Sequence, residues 1–390
     1  MSDPSADDFP LPGAEWKQTL RRRLLRWYDR KKRDLPWRGI DDPYRIWVSE
    51  IMLQQTQVAA AIPYFERFTD AFPTVEALAD AKEEEVLRAW EGLGYYRRAR
   101  SLHQAARVIV SDHDGEFPDD PEQALRLPGV GRYTAGAILS IAFGLRMPIL
   151  EANTLRLYSR LLGYHGDPRT GEGNRLLWAA AEDWLPRKRV GEFNQALMEL
   201  GGQVCAPRNP DCDDCPLRAQ CPTREHGWQD DIPVAAPKPK IEQVREAALA
   251  VFRDDAVFLH RNQNGDRWAG LWDFPRVSLD EDSQASPTNF QQHLAAGVRD
   301  GAGLTVEIGE RLTQLKHSVT RFRITLDCFA ATWISGPGLA ANAKSQRPNN
   351  NAAAREFRWV QPAEFADLPL SVPARRLSDF LAKSKRQRGR

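Results

Sequence analysis

The sequence carries almost no net charge: over 390 residues the formal value is +1 and the isoelectric point about 7.7, so bulk charge names no partner. Nothing approaches the ~20 consecutive apolar residues of a membrane span, and Met1 to Pro10 is acidic and polar, without the apolar core of a secretory leader. The expectation is a soluble intracellular protein with no membrane partner, cytoplasmic and, in a bacterium, nucleoid-associated. Cysteine is scarce too. Of five cysteines, four fall within 17 residues, a spacing that suits a metal site better than a disulfide framework. No internal repeat is visible.

What is present is unevenly distributed. Ten Lys or Arg residues lie between Lys17 and Arg38 against Asp29 and Asp34, and Arg97, Arg98, Arg100 and Arg107 follow a pair of tyrosines. Taken alone, either run reads as a solvated helix face. From Trp16 to about Arg224 apolar residues recur at helical spacing, as in Val48, Ile51 and Met52, or Ala135, Ile138, Leu139 and Ala142. Turn signals at 70–73, 112–121 and 163–173 cut this stretch into short helices, which predicts an all-α domain over residues 14–225. Pro, Asp, Gly and Lys dominate 226–241, an extended linker. Beyond it the period becomes two: Phe322, Ile324, Leu326 and Cys328 alternate with Arg323, Thr325 and Asp327, a half-buried strand with Cys328 facing a core. Further strands are expected at 247–252, 256–261 and 357–360, with helices near 290–298 and 374–382, so residues 242–383 form an α+β domain. Residues 334–355, rich in Gly, Ala, Asn and Ser, read as a mobile insertion, and 384–390 as a basic tail.

Cys205, Cys212, Cys215 and Cys221 are separated by six, two and five residues. Four thiolates on a tight loop hold either a cubic iron-sulfur cluster or a tetrahedral zinc, and chemistry alone does not choose. Spacing narrows the choice: a zinc ribbon joins two CxxC knuckles from distant hairpins, whereas here one CxxC has longer arms inside a single loop. A ferredoxin-like electron carrier is the rival use of such a loop, and it needs none of the features that follow.

In Leu127-Pro-Gly-Val-Gly131, Gly129 and Gly131 permit a tight turn that exposes amide N–H groups at a helix N-terminus, where a phosphate can dock. By itself such a turn only connects helices. Here it is followed, twenty residues on, by Glu151 in Pro148-Ile-Leu-Glu-Ala-Asn153, and then by the four cysteines. A second carboxylate, Glu50, stands in Ser49-Glu-Ile-Met-Leu-Gln-Gln-Thr-Gln57. In combination these runs resemble the adenine DNA glycosylases, the MutY family of the helix-hairpin-helix base-excision superfamily that includes endonuclease III. The resemblance covers nearly the whole chain, from Trp16 to about Leu381.

The resemblance implies a 4Fe-4S cluster on the four cysteines and excision of adenine paired with 8-oxoguanine or guanine in duplex DNA, by a monomer. Breaking a purine N-glycosidic bond requires an acid to make the base leave and an anion to support the oxocarbenium-like sugar. Glu50, among Trp47, Val48, Ile51, Met52 and Leu53, fits the acid, because an apolar setting raises a carboxyl pKa far enough to deliver a proton to adenine N7. Glu151 fits the electrostatic or nucleophilic partner, although the family usually has Asp there and the extra methylene alters its reach. Tyr133 stands where bifunctional relatives carry a Schiff-base lysine, which implies hydrolysis without strand cleavage; Tyr133 and Asn153 would orient the carboxylates and water. Outside these motifs each acid would be read as a solvated or capping carboxylate.

By the same resemblance Gln55 and Tyr95, the latter in Gly92-Leu-Gly-Tyr-Tyr96, fill the gap left by a flipped base. Trp37, Arg38 and Gln195 line the adenine pocket, and a glutamine can pair with two atoms of an adenine edge. Trp268-Ala-Gly-Leu-Trp-Asp-Phe-Pro275 resembles the Nudix-related domain that reads 8-oxoguanine. The helix of a Nudix hydrolase carries several glutamates for Mg²⁺, but Ala295 to Gly303 has none, so this domain binds and does not hydrolyse. Val319-Thr-Arg321 replaces the family's Phe-Ser-His loop and keeps a hydroxyl at Thr320. Two other readings remain at this point: an endonuclease III-like glycosylase and lyase acting on oxidised pyrimidines, and a catalytically impaired DNA-binding module.

Overall fold

The computed structural model describes residues 9–237, 240–280, 286–336 and 356–388. Before the first strand the helices are α1 (Ala14–Lys31), α2 (Pro43–Leu53), α3 (Val58–Ala71), α4 (Val75–Asp80), α5 (Glu83–Ala89), α6 (Arg97–Asp112), α7 (Pro121–Arg126), α8 (Arg132–Ala142), α9 (Ala152–Leu162), α10 (Gly171–Asp183), α11 (Val190–Gln203) and α12 (Pro222–His226). Local chemistry starts several of them. Asp42 and Asp120 accept from the first free N–H groups of α2 and α7, each with proline in the first turn. By contacts the chain forms two compact units, residues 1–80 with 101–237, and residues 81–100 with 238–390. The stretch 81–100 therefore packs with the second unit although helices surround it in the sequence.

In the first unit α2 is apolar on every side, with Ile46, Trp47, Val48, Ile51 and Met52 all buried. Burying a side chain of that size contributes about 2 kcal/mol, and this is what holds Glu50 inside the protein. Small residues let α8 approach its neighbours. A Cβ on Gly136 would stand 2.2 Å from the Pro148 carbonyl oxygen, and one on Gly191 of α11 would stand 2.5 Å from that of Ser140. A larger side chain at Gly136 would force α8, which carries Tyr133, away from the Pro148 segment, and one at Gly191 would force it away from α11. A separate core joins Leu20, Leu24 and Trp27 of α1 to Leu157 and Leu161 of α9, Leu176 and Leu177 of α10, and Phe193 and Leu197 of α11.

The second unit adds β1 (Glu242–Arg253), β2 (Ala256–Arg261), β3 (Trp272–Asp273), β4 (Arg276–Ser278), α13 (Pro287–Ala302), β5 (Thr305–Val319), β6 (Phe322–Ser335), β7 (Phe357–Val360) and α14 (Val372–Arg388). The sheet order is β3-β2-β1-β6-β5, with β4 also on β1 and β7 also on β2; β1 and β6 are parallel and the other pairs antiparallel. Central β1 is buried on both faces, as expected of a strand covered by helices on each side. Ala248 and Ala250 face Leu377 and Leu381 of α14, and Ala247, Leu249 and Val251 face Leu294 and Val298 of α13. Cys328 is fully buried in the first of these cores.

An all-helical part followed by an α+β part is as the sequence predicts, but four details differ. β1 starts at Glu242, where it pairs with Phe322 of β6, and β6 runs to Ser335, where it pairs with Thr305 of β5, so both are longer than expected. β3, β4 and β5 were not anticipated. α14 continues to Arg388, through most of the predicted basic tail. The linker is pinned at its start, where Ile232 is 1% exposed and its carbonyl accepts from Arg160 Nε at 2.9 Å. Most of the predicted insertion, residues 337–355, lies outside the described residues.

Candidate active site

Four elements of the first unit bring two carboxylates and a phenol together. Glu50 on α2 is 5% exposed, and Tyr133, in the first turn of α8, donates to its Oε2 at 2.7 Å. The Tyr133 hydroxyl also lies 3.7 Å from Met198 Sδ on α11. Burial pushes the Glu50 carboxyl up to about 7; the Tyr133 hydrogen bond opposes this, the charge of Glu151 adds to it, and Arg38 opposes it. Burial and the charges of Glu50 and Glu151 likewise hold the Tyr133 phenol well above its ordinary range, so it stays a donor. Glu151 is the N-cap of α9. Its Oε1 accepts from Thr154 N and its Oε2 from Asn153 N, both at 2.9 Å, so the longer side chain folds back onto its own helix.

Asn153 links this pair of acids to the cysteine loop. Its Nδ2 donates to Glu151 Oε2 at 3.3 Å and its Oδ1 accepts from Arg156 Nη2 at 3.0 Å. Arg156, 8% exposed, in turn donates to the carbonyls of Cys205 and Gly201 at 2.8 and 2.7 Å. One turn on, the buried Arg160 donates to Cys205 Sγ at 3.3 Å and to the Ala206 carbonyl at 2.8 Å. Cys205, Cys212, Cys215 and Cys221 line one cavity of about 20 Å³. Burial, with the neighbouring Cys205, Cys221 and Cys212, pushes the Cys215 thiol up to about 12, against a hydrogen bond from the Leu217 backbone. Sulfurs crowded this closely repel one another as thiolates, and a cationic group among them relieves the repulsion. Among the described residues no three of His, Cys, Asp and Glu are arranged to hold a single metal ion.

The remaining nominated residues separate into two groups. Arg38 and Gln195 meet through Tyr28, whose hydroxyl is 2.9 Å from Gln195 Oε1 and whose ring lies 5.4 Å from the Arg38 guanidinium. Arg38 is paired with Glu199, which is fully buried; burial opposes ionisation there, but hydrogen bonds from Arg33 and Arg38 hold its carboxyl below the ordinary range. Trp37 is 7% exposed and meets Phe65 edge-on at 5.2 Å, a core contact. Gln55, Tyr95 and Thr320 are exposed, and all three have left-handed backbone with φ of 58°, 49° and 50°. Residues other than glycine adopt it at a cost and concentrate at functional sites. Gly129, at φ 79°, sits where an added Cβ would be 2.7 Å from Ser101 Cβ, and Gly131 is the N-cap of α8, so the turn joins α7 to α8 as a helix-hairpin-helix.

Residues 48–182 match the family model for the HhH-GPD superfamily of base excision DNA repair proteins, and residues 247–379 match that for the NUDIX domain. The chain is similar to the adenine DNA glycosylase of Mus musculus, 40% identical over 92% of this chain and 77% of that one. It is also similar to that of Rattus norvegicus, 31% identical over 95% of this chain and 79% of that one. Among solved structures, a thermostable thymine-DNA glycosylase matches 54% of this chain and 98% of its own at 30% identity and a TM-score of 0.50. The chain belongs to the adenine DNA glycosylases. It is an adenine-specific DNA glycosylase of base excision repair, with a Nudix-like second domain. Among the described residues no helix is long and apolar enough to cross a membrane.

Within this glycosylase the sequence reading missed Tyr28, Met198 and Glu199. One signal was available for two of them: Gln195, Met198 and Glu199 recur at spacings of three and four, hence on one face of α11. Tyr28 gave none, since its contact with Gln195 spans 167 positions.

Proposed function

We propose that the enzyme hydrolyses the bond between adenine and deoxyribose where adenine is paired with 8-oxoguanine or guanine, acting as a monomer on duplex DNA and without cutting the strand. The observation that carries this reading is the Glu50 carboxyl, buried and bonded to Tyr133, with its pKa raised to about 7. An acid poised near neutrality gives up its proton readily to a leaving base. Glu50 protonates adenine at N7. Glu151, whose charge is felt at Glu50, supports the positive charge that develops at C1′. Tyr133 orients Glu50, and Asn153 holds the Glu151 carboxylate from the other side. With tyrosine at position 133 there is no amine to form a Schiff base, which disfavours the lyase reading.

Gln195 and Arg38 hold the adenine, with Trp37 stiffening the wall behind Arg38. Gln55 and Tyr95 occupy the gap in the stack, the Gly129 to Gly131 turn takes a phosphate, and Thr320 at the β5–β6 turn contacts the opposite base. Cys205, Cys212, Cys215 and Cys221 hold a 4Fe-4S cluster, a reading supported by their lining one cavity and by the single CxxC with longer arms inside one loop. When bound, the cluster crosslinks this loop and so keeps exposed Arg208 and Arg218 in place for phosphates. The test is single-turnover base release from duplexes carrying A opposite 8-oxoguanine, A opposite G, and thymine glycol. Release from the first two with intact strands is expected. Strand cleavage at thymine glycol would favour the endonuclease III-like reading, and release from none would favour the impaired module.

A further inference from the structure

The second unit includes residues 81–100, a stretch that the HhH-GPD family model assigns to the helical module. Tyr95 lies in it, half exposed and left-handed, in a turn built around a fully buried Trp90. Trp90 Nε1 donates to the Gly94 carbonyl and the Gly92 N–H to the Tyr96 hydroxyl, each at 3.2 Å, while Gly92 and Gly94 supply φ of 100° and 74°. A bulky residue keeps positive φ only where its surroundings over-determine it. The segment leading into this turn is held by residues of the Nudix-like fold. Four residues before Tyr95, the two oxygens of Glu91 accept from Arg375 Nε at 2.6 Å and Nη2 at 3.0 Å, and Leu370 N adds a bond at 3.3 Å. Arg375 also donates to the carbonyls of Phe365 and Leu368 at 2.6 and 2.7 Å. Before Glu91, on α5, Arg88 Nε donates to the Ala366 carbonyl at 2.7 Å, while Glu84 Oε1 accepts from Trp272 Nε1 and Glu83 Oε1 from Arg261, each at 2.9 Å.

We propose that the Nudix-like domain sets the position of the Tyr95 wedge through the Glu91–Arg375 pair, which makes both of them positioning residues for opening the duplex; this rests on the reading of Tyr95 as the inserting side chain. The Glu91 side chain is 9% exposed and that of Arg375 19%. A forked, largely desolvated pair of this kind has strict geometry and fixes the chain to either side of it. Tyr95 and Thr320 thereby belong to one compact unit, so a shift of the sheet on reading the opposite base carries the wedge with it.

The experiment uses full-length protein and a duplex with 2-aminopurine in place of the target adenine, opposite 8-oxoguanine. Its fluorescence rises as the base leaves the stack. Tyr95→Ala should weaken the opening equilibrium about tenfold, Arg375→Met should do the same to within a few fold, and the double variant should be no worse than Tyr95→Ala alone, because the arginine acts through the tyrosine. A residue that merely stabilised the fold would lower the unfolding midpoint and add its loss to that of Tyr95→Ala. If Arg375→Met fails to fold, Arg375→Lys, which keeps the charge and loses the fork, takes its place in the same cycle. Wild-type opening in Tyr95→Ala would remove the wedge reading itself. Loss in Tyr95→Ala with full opening in the Arg375 variant, or losses that multiply, would leave the wedge standing and overturn the proposal.

Discussion

A pH series on base release, in the wild type and in Tyr133→Phe, reaches the chemistry of Glu50. Its carboxyl moves from an ordinary 4.5 to about 7, by burial first, with the Tyr133 hydrogen bond opposing and the Glu151 charge reinforcing. A change of that size is worth roughly 3 kcal/mol in favour of the protonated form. At pH 8 about one molecule in ten would still hold the proton, against about one in three thousand for a carboxyl at 4.5. With the acid form as the active one, as proposed, single-turnover release should be level below about 7 and fall about tenfold for each pH step above it. Tyr133→Phe deletes a bond that favours the carboxylate, so the falling limb should move to higher pH even though the plateau drops with the loss of orientation. The linkage to stability has the same sign. A group whose folded pKa is raised contributes stability that is complete below its unfolded value near 4.5 and is lost as pH rises through about 7, so the unfolding midpoint should decline across that window. The assay is rapid quench with enzyme in excess over a duplex carrying A opposite G, between pH 5 and 9. A flat profile, or a limb that moves to lower pH in Tyr133→Phe, would refute the assignment of Glu50 as the acid.

Glu151→Gln should lose at least about a hundredfold in rate, nearly 3 kcal/mol, if its charge supports C1′ as proposed. Glu151→Asp should keep a measurable fraction, since aspartate retains the charge and is a good N-cap; equal rates in Glu151→Gln and wild type would make Glu151 a helix cap alone. The purified protein should be brown with about four irons per chain. Cys212→Ala should lose that iron and bind duplex more weakly, and stoichiometric zinc in protein made with ample iron and sulfide would count against the cluster. Thr320→Val should cut the preference for A opposite 8-oxoguanine over A opposite G by about three- to tenfold, the worth of one hydrogen bond; an unchanged ratio would take Thr320 out of lesion reading.

Much of the site was legible because its chemistry is local. Glu50 is embedded in a helix apolar all round, and that pattern alone anticipates its burial. The Leu127 to Gly131 turn, the Glu151 to Asn153 run and the cysteine spacing are each contained in a few residues. What escaped was long-range. β5 could not be read because its burial is irregular, with Glu307, Glu310 and Arg311 exposed and register shifts near Ile308, Arg311 and Thr313 that break the period of two. The parallel pairing of β1 with β6 joins segments about eighty residues apart and leaves no mark on either. The docking of residues 81–100 depends on Glu83, Glu84 and Glu91 meeting Arg261, Trp272 and Arg375. In the sequence those acids look like the solvated face of a short helix.

The central claim, that Glu50 is the proton donor for adenine release, is met most directly by Glu50→Gln measured under single turnover on A opposite 8-oxoguanine, with duplex affinity determined in parallel. Glutamine keeps the shape and a partner for Tyr133 but carries no titratable proton, so binding within a few fold of wild type and no detectable base release are expected. Release within about tenfold of the wild-type rate would contradict the account.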